Sequence, residues 1–230
     1  MEMKTDWYNM IAKKKGGYKS NAIYEVEGIS GEQVFEDKLI ALLKKSHNVL
    51  DAGCGDGNFT RKMSRYCQTL TGFDNAIELL NIAKRSVEQK PIDNLRFVYA
   101  CTKEEPFPFE DEEFDLVYTR KGPKSIILHS NILKKGGTIF GLSCGQIEKV
   151  KKRLWNGDFT NIEIEVFDKT FLWFRDKEQF TEYISTIPGN PDFSLSENRK
   201  GLEKKLQDSW RNNQFVWQEY RYIWKAVKQK

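Results

Sequence analysis

The chain has 230 residues, 39% hydrophobic, 13% aromatic and 30% charged, with a formal net charge of +4. That length suits one large domain or two small ones, and the balance is that of a globular protein with a charged surface. The charge is mild and the lysines and arginines are scattered, which does not by itself indicate nucleic-acid binding. No window of 18 apolar residues spans a membrane, and Met1 to Ser20 lacks the apolar stretch of a signal peptide. The four cysteines, Cys54, Cys67, Cys101 and Cys144, lie far apart without a CxxC pair. Neither a zinc site nor a disulfide scaffold is expected, and a reducing cytoplasm fits.

In chain order, residues 1–30 are polar, aromatic and punctuated by glycine. They read either as a partly mobile arm or as a lid that orders over a ligand. The run Lys13 to Lys15 reads as solvated. Ser30-Gly31-Glu32-Gln33 opens a helix whose apolar positions Val34, Phe35, Leu39, Ile40, Leu42 and Leu43 recur at helical spacing. A first strand, His47 to Asp51, runs into Gly53-Cys54-Gly55-Asp56-Gly57 and a helix to about Tyr66. Leu70 to Asp74 is the second strand, Ala76 to Gln89 a helix closed by Pro91, and Arg96 to Ala100 the third strand. An acidic, proline-bearing loop from Pro106 to Glu113 leads to the fourth, Phe114 to Thr119. Ser125 to Leu133 reads as a helix, stopped by the basic, glycine-ended turn Lys134 to Gly137. Thr138 to Leu142 is the fifth strand.

Strands and helices alternate from residue 47 onward, which predicts a mostly parallel sheet covered on both faces. Beyond that, Gln146 to Trp155 is helical and Asn161 to Phe167 alternates as a half-buried strand. Asp176 to Ile187 and Glu197 to Trp210 are helical, and Gln214 to Val227 alternates again. Two alternating strands with helical material between them predict an antiparallel edge carrying an insertion at about 175–212. The whole, 1–230, reads as a single domain: arm 1–30, cofactor-binding core 31–145, and C-terminal strands 146–230.

The glycine turn is where the chemistry concentrates. Three glycines let the backbone turn sharply and bring it close to a ligand, at a strand-to-helix loop where nucleotide-like cofactors sit. No Gly-Lys-Ser/Thr follows, so it is not a phosphate loop. An acid at the end of the first strand, Asp51, would repel a pyrophosphate. Asp74, 23 residues on at the end of the second strand, is placed for ribose hydroxyls. A cationic, phosphate-free nucleoside satisfies both acids, and S-adenosyl-L-methionine is one: Asp51 near its amino acid moiety, Gly53, Cys54 and Gly55 in close backbone approach, Asp74 on the ribose.

Val49-Leu50-Asp51-Ala52-Gly53-Cys54-Gly55-Asp56-Gly57 resembles motif I of the class I S-adenosylmethionine-dependent methyltransferases. The resemblance continues through Gly72-Phe73-Asp74, Pro106 to Val117 and Leu133-Lys134-Lys135-Gly136-Gly137-Thr138, covering residues 30 to 145, and is closest to small bacterial type-11-like members. It implies an α/β, Rossmann-like sheet of seven strands in the order 3-2-1-4-5-7-6 with the seventh antiparallel. It also implies that Asn75, Cys101 and Thr102 flank the adenine and that Thr119 and Arg120 face the methyl group. Many relatives carry an aspartate after the third strand where this chain has Ala100-Cys101-Thr102-Lys103. Thr102 or a backbone carbonyl must then serve the adenine amino group.

The acceptor is less defined. The fourth strand ends in Tyr118-Thr119-Arg120-Lys121-Gly122-Pro123, not in an Asn/Asp-Pro-Pro-Tyr; clustered carboxylates for a metal and a Pro-Cys are also lacking, so no metal is expected. A small-molecule acceptor is the first reading. RNA or tRNA methylation is the alternative, and a catalytically silent cofactor-binding subunit is the reading from another class. Arg120 and Lys121 are candidates for an anionic acceptor, and His129 for a general base if one is needed.

Overall fold

The computed structural model describes residues 2–17 and 20–229. Its strands are β1 (Glu25–Glu27), β2 (Asn48–Ala52), β3 (Thr69–Asp74), β4 (Leu95–Tyr99), β5 (Phe114–Arg120), β6 (Leu133–Ser143), β7 (Phe159–Phe174), β8 (Trp210–Arg211) and β9 (Gln214–Lys228). Its α-helices are α1 (Glu2–Lys15), α2 (Gly31–Leu43), α3 (Asn58–Met63), α4 (Ile77–Gln89), α5 (Ile147–Trp155), α6 (Lys177–Ser185) and α7 (Arg199–Ser209). The chain divides into two compact units, Gly31–Val166 with Arg221–Lys230, and Met1–Ser30 with Phe167–Tyr220.

The first unit holds the alternating core. Its strands run in the order β4-β3-β2-β5-β6-β9-β7. β2 pairs in parallel with β3 and β5, β3 with β4, and β5 with β6. β9 enters antiparallel to β6. Numbered along the alternating core, these strands follow the expected 3-2-1-4-5-7-6, but the sheet has nine strands where seven were expected: β1 adds beyond β7 and β8 pairs with β9. The central strands are apolar on both faces, as strands covered by helices must be: Val49, Leu50, Leu116 and Val117 are buried. α2 covers one face through Phe35, whose ring stacks on Phe140 of β6 at 4.8 Å.

The second unit is built from residues on either side of that core. β1 pairs antiparallel with the end of β7, Val26 opposite Leu172. Phe174, Phe180, Ile184 and Leu202 form its buried cluster. The N-terminal stretch contains a helix, α1, and Lys14, expected to be solvated, pairs with Asp192.

Two local expectations are corrected. Residues 125–133 do not form one α-helix but two 3-10 turns, Lys124–Leu128 and Ser130–Ile132. His129 breaks them at φ −103°, ψ 46°. Its ring Nε2 is bonded to the Thr102 carbonyl at 3.1 Å. That anchor, with Ile126, Ile127 and Ile132 all buried, outweighs a helical pattern weakened by adjacent β-branched residues. The Lys134-Lys135-Gly136-Gly137 segment is likewise not a helix stop. It is an irregularity within β6, where the pairing with β5 shifts between Phe114 and Leu116.

Candidate cofactor site

The loop after β2 is shaped by what its neighbours permit. Gly53, Gly55 and Gly57 have φ of 85°, 56° and 74°, the left-handed region open to glycine. A Cβ at Gly53 would meet Pro123 Cδ at 2.6 Å and one at Gly57 would meet the Phe97 ring at 2.6 Å. At Gly55 a Cβ would meet nothing within 4 Å. The outer glycines are therefore keyed into the protein, and the middle one faces open space.

The loop's donors point inward. The N–H groups of Gly53 and Cys54 both donate to the Phe73 carbonyl at 2.9 Å. Gly55 N–H donates to Asp74 Oδ2 at 2.8 Å. A phosphate loop keeps such groups for its ligand; here they are spent, so the turn is no anion cradle.

Two carboxylates lie at the turn. Asp51 is 2% exposed, and its Oδ2 accepts from Thr60 Oγ1 at 2.8 Å. Burial raises it to about 7, against the lowering effect of Thr60. The Tyr118 hydroxyl is fully buried next to it and makes no well-formed hydrogen bond among the described residues. Asp74 is also raised by burial. Its Oδ1 accepts from Ala76 N–H at 2.8 Å, its Oδ2 from Gly55. A carboxylate has about four acceptor positions, and with the Asn75 N–H also against it capacity remains for a ribose hydroxyl. Acids held above their ordinary range by burial, beside a glycine facing open space, suit a cation and a diol.

The other candidates divide. Asn75 and Cys101 are brought together, Asn75 Nδ2 donating to Cys101 Sγ at 3.7 Å, at the ends of β3 and β4. Thr102 is turned to the 3-10 segment: its hydroxyl meets Ser125 Oγ at 2.5 Å and its carbonyl the His129 ring. That places Thr102 as a tie and leaves Cys101 and Asn75 nearer the turn. His129 stacks on Phe107 at 4.2 Å, which makes it a support of the same loop. Cys54 is buried and its thiol is pushed up by that burial and by Asp74.

Thr119, expected to face the methyl group, is fully buried and donates Oγ1 to the Ala52 carbonyl at 2.8 Å. Its neighbour Gly122 packs directly on the loop; a Cβ there would meet the Ala52 carbonyl at 2.3 Å. Arg120 and Lys121 are engaged by Glu32 at the start of α2, and Arg221 lies 3.6 Å from the same carboxylate. Burial alone would raise Glu32, but Lys121, Arg120 and Arg221 together hold it at about 2. The Arg120 guanidinium also sits 4.5 Å over the Phe59 ring. Glu32, Thr60, Tyr118 and Phe59 were not singled out in the sequence. The only signal for Tyr118 is its register opposite Asp51.

An inward-bonded glycine turn after β2, a buried acid at the end of β3 and an antiparallel strand inserted beside β6 define an open α/β sheet of the kind that binds nucleoside cofactors. Residues 49–137 match the family model described as a methyltransferase domain, and the chain carries a class I S-adenosylmethionine-dependent methyltransferase domain, whose cofactor is S-adenosyl-L-methionine. Among curated proteins it is 34% identical over 84 residues to the 23S rRNA (uracil(1939)-C(5))-methyltransferase RlmD of Pasteurella multocida, covering 36% of this chain and 19% of that one. It is 25% identical over 146 residues to the ubiquinone biosynthesis O-methyltransferase of Coxiella burnetii, covering 60% and 57%. The chain thus spans about a fifth of the first relative's length and just over half of the second's. Among solved structures, the Haemonchus contortus phosphoethanolamine N-methyltransferase 2, in complex with S-adenosyl-L-methionine, superposes with a TM-score of 0.57 at 19% identity, over 84% of this chain and 53% of that one. No helix among the described residues is long and apolar enough to cross a membrane, and no group of three or more His, Cys, Asp or Glu that would hold a metal ion occurs among them.

Proposed function

We propose that this chain transfers a methyl group from S-adenosyl-L-methionine to a small-molecule acceptor. The observation that carries the donor half is the inward bonding of Gly53, Cys54 and Gly55 beside two buried acids. That arrangement has no use for phosphate and a clear use for a cation and a ribose. Bound there, the donor supplies an electrophilic sulfonium methyl that an acceptor nucleophile takes by in-line displacement, the C–S bond breaking as the new bond forms. The chain's own residues hold and orient. Asp74 takes the ribose, Asp51 provides the negative charge behind the turn, and Asn75 and Cys101 border the adenine. Thr119 and Gly122 lock the turn after β5 onto the loop. His129 is already bonded to Thr102 and is not offered as a base; an acceptor that reacts as a neutral amine or a pre-ionised oxygen needs none.

The small-molecule reading draws support from likeness to the ubiquinone biosynthesis O-methyltransferase over more of both chains than the likeness to RlmD. RNA is the second reading, favoured by Lys149, Lys152 and Arg153 of α5, which make no ion pair among the described residues. The test is transfer from radiolabelled S-adenosyl-L-methionine into separated metabolite, RNA and protein fractions. Label in metabolites is expected. Label in RNA alone replaces the first reading by the second, and label in no fraction while the cofactor binds supports a silent cofactor-binding subunit.

A further inference from the structure

The core has a second concave feature, away from the glycine turn. Helix α5 and the 3-10 turn Lys124–Leu128 enclose a cleft of about 440 Å³. It lies toward the end of the sheet opposite the strand ends that carry the cofactor loop. The chain there bonds Gln229 N–H to the Asp158 carbonyl at 2.9 Å, and Lys228 Nζ donates to the Leu133 carbonyl at the start of β6 at 2.7 Å.

The cleft is lined by Lys149, Lys152 and Arg153, with Asp158 as its one acid. The three cations are spaced i, i+3 and i+4, so they share one helix face. None of the three makes a side-chain hydrogen bond or ion pair among the described residues. Neighbouring cations behave differently: Lys151 on the same helix pairs with Glu148 at 2.8 Å, and Arg120 and Lys121 are taken by Glu32. Arg153 is half-buried, and burial lowers its pKa with no acid to offset it. Like charges gathered without partners on one face cost stability, a cost that an anion in the cleft would remove.

The rim carries flat apolar surface as well. Trp155, three residues past Lys152, is 61% exposed and Leu128 is 62% exposed. A row of cations beside an open aromatic ring is the combination that holds a single polynucleotide strand, phosphates on the charges and bases on the ring.

We propose that this cleft binds single-stranded RNA, with backbone phosphates on Lys149, Lys152 and Arg153 and a base stacked on Trp155. The site is separate from the cofactor turn and stands whichever acceptor is methylated; RNA held there favours the RNA reading of the acceptor.

The test is fluorescence anisotropy of a labelled, unstructured 12-nucleotide RNA, titrated with full-length protein at 50 to 200 mM salt. The wild type is expected to bind with a steep salt dependence. The combined Lys149→Gln, Lys152→Gln, Arg153→Gln variant is expected to bind at least tenfold more weakly, with the log–log salt slope reduced by about 2, as three lost phosphate contacts on a single strand require. Trp155→Ala should weaken binding severalfold, and Lys151→Gln should leave it unchanged. Calorimetry with S-adenosyl-L-methionine on the same proteins reports folding and the donor reading separately. A triple variant that binds the cofactor normally and RNA as tightly as the wild type overturns the proposal. So does a wild type that binds no RNA, or one that binds only vesicles containing phosphatidylserine.

Discussion

Thr60 Oγ1 donates a hydrogen bond to Asp51 Oδ2 at 2.8 Å, beneath the glycine turn and out of solvent. It is the one well-formed side-chain bond seen on that carboxylate among the described residues, and it does not offset the burial. Asp51 titrates near 7 in the folded chain against an ordinary 3.8. Between about pH 4 and 7 the folded state therefore holds a proton that the unfolded chain has lost. Stability falls as pH rises through that window. Asp51→Asn should raise the melting temperature at pH 8, by roughly 2–4 kcal/mol of stability, and leave it little changed at pH 4. Thermal melts across pH 4 to 8 measure this; parallel wild-type and variant curves would show that Asp51 is not the group.

With Asp51 in its proposed place behind the donor, the same proton is expected to govern cofactor binding. A cationic ligand favours ionised Asp51, so binding displaces the proton. Affinity for S-adenosyl-L-methionine should be pH-independent above about 7 and weaken as pH falls below it, approaching tenfold per unit. Calorimetry in buffers of different ionisation enthalpy should detect close to one proton released per cofactor bound at pH 6. In Asp51→Asn both the release and the pH slope should vanish, with weaker binding at pH 8.

Asp74 gives a cleaner separation of binding from folding. Asp74→Asn retains a carbonyl oxygen for the Gly55 or Ala76 N–H but loses the charge and acceptor capacity for a diol. A fold retained within about 1 kcal/mol and a cofactor affinity reduced roughly a hundredfold are expected, the latter from two weakened charge-assisted bonds. Affinity within threefold of the wild type would remove Asp74 from the ribose.

Gly53 and Gly55 should fail differently. Both have positive φ, so alanine costs about 1 kcal/mol of backbone strain at each. Gly53→Ala also drives a Cβ to 2.6 Å from Pro123 Cδ, whereas Gly55→Ala meets nothing. Gly53→Ala should lower stability by several kcal/mol. Gly55→Ala should melt close to the wild type yet lose most of its cofactor affinity, because its methyl projects where a ligand would lie. Equal losses of stability in the two variants would contradict this assignment.

Glu32 is held at about 2 against an ordinary 4.5, because Lys121, Arg120 and Arg221 overcome its burial. Its contribution to stability is complete above about pH 4.5 and is lost as pH falls toward 2. Glu32→Gln should cost roughly 2 kcal/mol at pH 7, below the range for a wholly buried pair since part of the carboxylate reaches solvent. The difference from wild type should shrink on acidification. Urea melts at pH 7 and pH 3 make the comparison.

The parts of the molecule that were plain in the sequence are those where local pattern and tertiary demand agree. The parallel strands around Val49, Leu70, Phe97 and Leu116 are short stretches rich in apolar, β-branched and aromatic residues, and the turn at Gly53 to Gly57 has few alternatives. The order of the core strands followed from the resemblance, not from the residues. Residues 125–133 misled because an apolar period is compatible with 3-10 turns once a ring such as that of His129 is anchored from a distant loop. Glu32 was hidden because an acid in a helix's first turn is ordinary in itself. Its partners, 88 or more residues away, are brought to it by the sheet. Thr119 was placed on its strand end, but its bond to the Ala52 carbonyl was not legible, since alternation does not say which face a turn will cover.

The close approach of Gly53 to Gly122 and the Pro123 ring joins the turn proposed to hold the donor to the turn expected to border the acceptor. Only the rigid proline ring and the short Thr119 side chain lie at that contact, so little there can absorb a change. Re-engineering of residues 119–123 for a different acceptor would therefore register as altered cofactor affinity before any new substrate is tried, and libraries built on that turn would need Gly122 left untouched.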